Sequence, residues 1–332
     1  MQNTETTKPF LGAVRRALLA SAVIGAVCAP AWADAPYPNR PIKLIVAFAP
    51  GGGSDFIARL VAVRLGEKLG QPVIVENRPG AGGNLGASAA LKSPADGYTL
   101  FLAAASYTVN PALYKLTFDP IKDITPIAQL ARGPFIIAVN PQLPAKNLTD
   151  LVALAKKEPN KLSYASAGTG SIVHIATEYF LDVTGAQIMH VPYKGTAPAL
   201  TDTISGQTQV VFGTVASTLP FAKAEKLRAL AVTTPSRLAA LPDVPTTAEA
   251  GFPNYSVTNW HGIIGPKGIP HDIVTKLNKA INESLHAAEM TKGMSTDGLT
   301  PAGGTPAEFG KLLADETTRW QALVIKRNIK VE

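Results

Sequence analysis

Residues 41–69 read PIKLIVAFAPGGGSDFIARLVAVRLGEKL. Ile42 to Phe48 is an apolar run with Lys43 as its one charged member, the pattern of a strand covered on both faces. Ser54 to Leu69 has helical spacing instead, with Phe56, Ile57, Leu60, Val61 and Leu65 apolar and Arg59, Arg64 and Lys68 on the other face. Between them stand Gly51, Gly52, Gly53, Ser54 and Asp55. A strand that turns through glycines into a helix is the unit of an α/β fold, and the start of such a helix presents free N–H groups and a favourable dipole to an anion. No G-K-[ST] follows the glycines, so the turn is not a nucleotide P-loop. Asp55 is expected to cap or hold the turn, and taken alone the stretch is equally consistent with a turn that binds nothing.

The unit recurs along the chain. Val73 to Glu76, Asn84 to Lys92 and Tyr98 to Ala103 read as strand, helix and strand, giving three parallel strands. A second series follows: strands at Phe135 to Val139, Leu162 to Ala165, Ile188 to Val191, Gln209 to Phe212 and Leu227 to Thr233, with helices at Leu148 to Lys157, Ser171 to Val183 and Ala197 to Ser205. Asp272 to Leu285 and Ala307 to Lys326 are amphipathic helices without a long strand, and are expected to pack back on the first sheet. The spacing therefore predicts a first domain of residues 34–131 and 262–332 and a second of residues 132–261. The extended segments Ile124 to Ala138 and Tyr255 to Gly265 would be the two connectors of a hinge with a cleft between the domains. Two independent domains in tandem are the competing arrangement.

Lys8, Arg15 and Arg16, then the apolar run Ala17 to Ala29, then Ala31-Trp32-Ala33 give the charge, core and cleavage order of a secretory signal over residues 1–33. The run is too short to span a bilayer. The exported chain loses Cys28, its one cysteine, and with it any disulfide, thiol chemistry or cysteine metal site. It keeps a formal charge of about +5, scattered rather than clustered, which excludes a nucleic-acid face and weakly favours an anionic ligand. A periplasmic monomer is expected.

Ser166-Ala167-Gly168-Thr169-Gly170-Ser171 repeats the first Gly-rich turn at the corresponding place in the second series, ahead of His174. If both turns face one cleft, two helix starts hold a carboxylate without a basic side chain. His174 and Glu178 are i and i+4, a spacing that suits a helix-supporting contact better than a metal pair, since no third ligand follows. Gly80 to Gly86 breaks the dinucleotide spacing at Leu85, and there is no G-x-S-x-G elbow and no S-x-x-K. No metal, no cofactor and no catalytic group is predicted.

FAPGGGSDFIAR (Phe48 to Arg59), ENRPGAGGNLGA (Glu76 to Ala87), SPADGYTL (Ser93 to Leu100), YASAGTGSIVH (Tyr164 to His174), VPYKGTAPAL (Val191 to Leu200) and ALPDVPTTAEAG (Ala240 to Gly251) together resemble the tripartite tricarboxylate transporter receptors, also called the Bordetella uptake gene family. The resemblance implies a periplasmic binding protein-like fold of type II, a Venus flytrap of two α/β domains that closes on a small carboxylate and delivers it to membrane permease subunits. It implies that backbone groups of the two Gly-rich turns hold one carboxylate, and that Ser106, Lys194, Thr196, Thr214, Trp260 and His261 lie on the loops that tune ligand identity. Many relatives carry Phe-Asp where this chain has Phe212-Gly213, which puts amino-acid ligands in doubt. Trp260 and His261 fall on the second connector, where each would either meet a flat ligand or pack in the hinge, packing being the stronger reading for Trp260; an aromatic mono- or dicarboxylate such as terephthalate is favoured, with citrate-like acids next. A secreted carboxylate-handling enzyme would need an acid/base pair, for which only Asp55 and His174 are near. A sensor subunit for a membrane kinase would use the same residues with a different partner.

Overall fold

The computed structural model describes residues 36–331; the candidate leader, with Cys28 in it, lies outside the described residues. In chain order the strands are β1 (Ile42–Val46), β2 (Val73–Asn77), β3 (Thr99–Ala104), β4 (Ile124–Gly133), β5 (Phe135–Val139), β6 (Ser163–Ser166), β7 (Met189–Pro192), β8 (Val210–Thr214), β9 (Arg228–Val232), β10 (Asn259–Pro266) and β11 (Thr300–Gly303). The helices are α1 (Gly53–Leu69), α2 (Asn84–Leu91), α3 (Asn110–Leu113), α4 (Leu148–Lys157), α5 (Ile172–Thr184), α6 (Thr196–Ser205), α7 (Val215–Lys223), α8 (His271–Leu285), α9 (Ala288–Thr296) and α10 (Pro306–Lys326). No helix among the described residues is long and apolar enough to cross a membrane.

Two mixed sheets result, one in the order β11-β4-β10-β3-β1-β2 and the other β7-β6-β8-β5-β9. As the apolar runs predict, β1 is parallel to both β2 and β3, with Ile42 opposite Val73 and Lys43 opposite Thr99. Ile42, Leu44, Ile45 and Val46 are buried; Ile45 faces the core that holds Ala87, Ala90 and Trp260, while α1 packs on the strand with Ile57, Ala58, Val61 and Leu65 buried. That helix ends on Gly70, whose left-handed φ of 70° lets its N–H return to Gly66 O.

The expected connectors are more regular than their sequences suggest. β4 and β10 pair antiparallel over their whole length, from Asn259 opposite Gly133 to Pro266 opposite Ile124, and form the middle of the first sheet. Pro126 and Arg132 in β4, and Gly262 and Gly265 in β10, dilute the apolar signal, yet Trp260, Ile263 and Ile264 are fully buried. The chain passes to the second sheet directly after β4 and returns before β10. The short β11 and helices α7 and α9, which the pattern did not single out, complete the fold.

Helix α10 belongs to both cores. Phe309 and Leu313 pack with Trp260 and Ile264 of the first sheet, while Trp320, Leu323 and Val324 pack with Tyr164, Phe180 and Tyr255. Between these halves the buried Glu316 accepts hydrogen bonds from Trp260 Nε1 (2.8 Å) and Thr108 Oγ1 (3.1 Å). Further along, Arg327 pairs with Glu178 at 2.7 Å and Lys326 with Asp182 at 2.6 Å, both on α5.

The packing against β10 is tight: a Cβ on Gly262 would stand 2.2 Å from Phe309 Cζ. Gly262→Ala is therefore expected to cost about 1–3 kcal/mol, the usual cost of overpacking, read as a lower urea midpoint. An unchanged midpoint would show that Phe309 yields freely.

Candidate functional site

The first Gly-rich turn leaves β1 and enters α1. Gly51 has φ +85°, a conformation glycine adopts without strain, and its N–H donates to Asp55 Oδ2 at 2.9 Å. The same oxygen accepts from Arg59 Nε (3.0 Å), and Asp55 Oδ1 accepts from Asn77 Nδ2 (2.9 Å), which also donates to Phe48 O. The Arg59 guanidinium, helped by the Gly51 and Asn77 donors against the burial of the group, holds the Asp55 carboxyl down at about 2. Asp55 thus holds the turn as expected. No side chain caps α1. The first N–H to find an acceptor within the helix is that of Phe56, on Gly52 O, so those of Gly53, Ser54 and Asp55 have no partner among the described residues. Below the turn, Ser54 Oγ lies 3.0 Å from Nε2 of the buried His261, whose pKa burial lowers to about 4. The ring is neutral, and its Nδ1 is buried without a partner among the described residues.

The second turn leaves β6 and enters α5, but spends more of its donors on itself. Gly168 N–H donates to Ser166 Oγ (3.1 Å) and Gly170 N–H to His174 Nδ1 (3.0 Å), while Ser171 caps the helix by accepting from His174 N. The N–H groups of Thr169, Ile172 and Val173 are left without an acceptor among the described residues. His174 is buried and stacks on His190 with centroids 4.0 Å apart and planes 9° apart; His190 stacks in turn on Tyr164 at 4.9 Å and reaches Ser166 Oγ at 2.7 Å. Burial, with His190 and Arg327 adding to it, lowers the His174 pKa to about 3, so its Nδ1 remains the acceptor that Gly170 needs.

Other turns at the same strand ends bring in the remaining residues. Ser106 follows β3 in a crevice with Phe48, Gly83 and Asn110. Lys194 is exposed and forms no ion pair among the described residues. Thr196 opens α6 behind Gly195, and Thr214 precedes α7 with its Oγ1 2.9 Å from Ser217 Oγ. The two sheets' turns meet there: a Cβ on Gly298, just before β11, would fall 2.2 Å from Val215 Cβ, and one on Gly170 2.6 Å from Leu113 Cδ1.

Chemically the arrangement offers neutral backbone donors and hydroxyls, with the nearby histidines uncharged and Asp55 occupied. A family profile described as tripartite tricarboxylate transporter family receptor matches residues 57–329. The chain belongs to that receptor family. It is 37% identical over 309 residues to Protein BugT of Bordetella pertussis, covering 92% of this chain and 94% of that one. Among solved structures, an R. palustris protein with adipate is 36% identical with a TM-score of 0.76, covering 89% of this chain and all of the other. MatC from Rhodopseudomonas palustris with bound malate is 30% identical with a TM-score of 0.73, covering 87% of this chain and all of the other. The fold is that of the two-domain, type II periplasmic solute-binding proteins.

The geometry decides one open alternative, that of Trp260, and changes two expectations. Trp260 is fully buried on the other face of the sheet, edge-on to Phe309 with centroids 5.6 Å apart and bound to Glu316, so it offers a ligand no stacking surface. Glu178 does not support His174; it accepts from Tyr164 OH at 2.5 Å and pairs with Arg327. Gly168 and Gly170 serve the turn's shape, their N–H groups being bonded internally. Sequence reading missed His190 and Arg327, which are distant in the chain from the turn they support, and Asp297, whose Oδ2 would stand 3.2 Å from a Cβ on Gly53. At Gly213 a Cβ would meet Thr218 Oγ1 at 2.0 Å, so Thr218 leaves no room there for a larger side chain.

The fold holds His174 and His261 neutral, with pKa values of about 3 and about 4, against about 6.5 when unfolded. Their stabilisation is complete above pH ~6.5 and is lost as the pH falls towards the folded values, by about 1.4 kcal/mol per pH unit and group. Urea unfolding between pH 7 and pH 4.5 should show this slope, and His174→Asn, which keeps an acceptor for Gly170, should flatten it. An unaltered slope would contradict the assignment. Trp260→Phe should lower stability yet leave ligand affinity within about twofold, because the ring packs away from the site.

Proposed function

We propose that this chain is an exported receptor that captures a small carboxylate between two lobes, releases it unchanged and hands it to the membrane permease of a tripartite tricarboxylate-type transporter. The observation that carries this reading is the uncapped start of α1, with the N–H groups of Gly53, Ser54 and Asp55 unpaired in a turn that Asp55, Arg59 and Asn77 hold rigid. The family membership and the adipate and malate bound by solved relatives support the ligand class. Each hydrogen bond to a charged carboxylate is worth about 1.5–3 kcal/mol, and a micromolar ligand needs about 8 kcal/mol, so several donors from both turns act together. Thr169, Ile172 and Val173 supply the second set. The lobes are built on the two sheets, and the hinge lies where the chain passes between them, at residues 133–135 and at residue 258, between Val257 in the second core and β10. Closure follows from contact with both lobes, which shifts the population towards the closed form. Aliphatic dicarboxylates are the leading ligands, since the burial of Trp260 removes the surface on which an aromatic preference rested.

Residues 34–332, titrated calorimetrically with adipate, malate, succinate, citrate and terephthalate, should bind at least one with the acid recovered intact. Conversion to a product would favour an enzyme. Gly53→Pro is the sharper variant, because Gly53 is the first helical residue, where proline is well tolerated, and Gly52 before it is already extended at φ −81° and ψ 168°. It deletes one donor and keeps the helix, so affinity should fall about 10- to 100-fold with the melting temperature nearly unchanged. Full affinity in this variant would remove α1 from the binding site.

A further inference from the structure

His261 sits on β10 with only 5% of its surface exposed. Across the sheet it stands opposite Ala104 of β3 and Ala131 of β4. Directly opposite residues of an antiparallel pair share a face, so the two strands beside the ring offer it methyl groups alone. Its side-chain partner among the described residues is Ser54 Oγ, 3.0 Å from Nε2, while Nδ1 is buried and has none. Ser54 is the second residue of α1 and stands among the unpaired N–H groups of Gly53, Ser54 and Asp55. A ring this deep, bonded at one end and orphaned at the other, is held for what it does to Ser54.

A neutral imidazole carries one N–H, and its two possible positions give Ser54 opposite characters. With the hydrogen on Nδ1, the Ser54 hydroxyl donates to Nε2. Its hydrogen is then used inside the protein, Oγ turns lone pairs towards a bound carboxylate, and an N–H is buried without an acceptor. With the hydrogen on Nε2, the ring donates to Ser54 Oγ, the hydroxyl hydrogen is free to turn outward, and the group buried unpaired is a lone pair. Among buried backbone groups an orphaned N–H is the rarer defect, and a lone pair facing a carboxylate repels it; both considerations select the second form. Burial keeps the ring neutral, so the choice between the two forms stands across the physiological range. We infer that His261 is a positioning residue whose Nε2–H holds Ser54 Oγ as an acceptor and so makes the Ser54 hydroxyl a donor to the bound carboxylate, beside the three backbone N–H groups. The inference rests on the carboxylate-receptor reading and gives His261 a part in it without contact with the ligand.

Two measurements test it. In protein labelled with 15N in the histidine rings, a long-range 1H–15N spectrum shows which nitrogen of His261 carries the hydrogen, with His261→Gln to assign the resonance; Nε2 should be the protonated one. A double-mutant cycle between His261→Leu and Ser54→Ala is then measured by calorimetry against adipate, malate, succinate and citrate, with melting temperatures as the check on folding. For whichever of these acids the wild type takes, Ser54→Ala should weaken binding about tenfold or more. His261→Leu should weaken it by a similar factor alone, but by no more than about twofold when added to Ser54→Ala. His261→Gln, whose amide keeps a donor for Oγ, should retain most of the affinity. If His261→Leu does not fold, the protonated nitrogen and the Ser54→Ala and His261→Gln affinities decide in its place. A ring protonated on Nδ1, full affinity in Ser54→Ala, or losses that simply multiply in the double variant would overturn the inference and leave the receptor reading standing. A wild type that binds none of the acids would overturn the receptor reading together with it.

Discussion

Three backbone N–H groups at the start of α1 have no acceptor among the described residues, and the contacts around Asp55 hold the turn in that form. A helix start is ordinarily closed by a side-chain oxygen, at a gain of about 1 kcal/mol. Here the residue at that position is Gly52, which has none to offer. The one carboxylate at hand, Asp55, is held by Arg59, Asn77 and Gly51 instead, so it shapes the turn without filling the place of a ligand. Unpaired donors backed by a helix dipole attract an anion, and they do so without the strongly hydrated lysine or arginine that would have to be desolvated first.

The second turn solves the same problem differently. Its glycines are tied back to Ser166 and His174, and the acceptor on His174 depends on a neutral ring stacked on His190. Behind that stack, Tyr164 and Glu178 lead to Arg327 at the end of α10, whose other end lies in the core of the first sheet. One helix therefore ties the first sheet to the support of the second turn. Glu316, buried between its halves and bonded to Trp260 and Thr108, fixes that helix to the strand on which the chain returns to the first sheet.

The succession of β1 to β3 and their helices was legible in the sequence, because short apolar runs alternate with helically spaced segments across glycine turns, and patterns of that kind read the same in isolation as in the fold. β4 and β10 were not, since their burial comes from neighbours on both sides rather than from their own pattern, with Pro126, Gly262 and Gly265 interrupting it. The two Gly-rich turns and the role of Asp55 follow from local order. The facing of Trp260 and His261 does not: adjacent residues on a strand point to opposite faces, but which one faces the site depends on the register, and here His261 lies under Ser54 and Trp260 in the opposite core. Asp297 lies more than two hundred residues from Gly53 in sequence, and nothing short of the fold brings them together.

The central claim concerns particular hydrogens, so amide spectroscopy addresses it most directly. With 15N-labelled protein titrated with whichever carboxylate binds, the amide protons of Gly53, Ser54 and Asp55 should move downfield together and gain protection from exchange, while that of Gly51, already bonded to Asp55, moves little. Saturating ligand that leaves those three resonances unshifted would contradict the account, since the carboxylate would then be bound elsewhere.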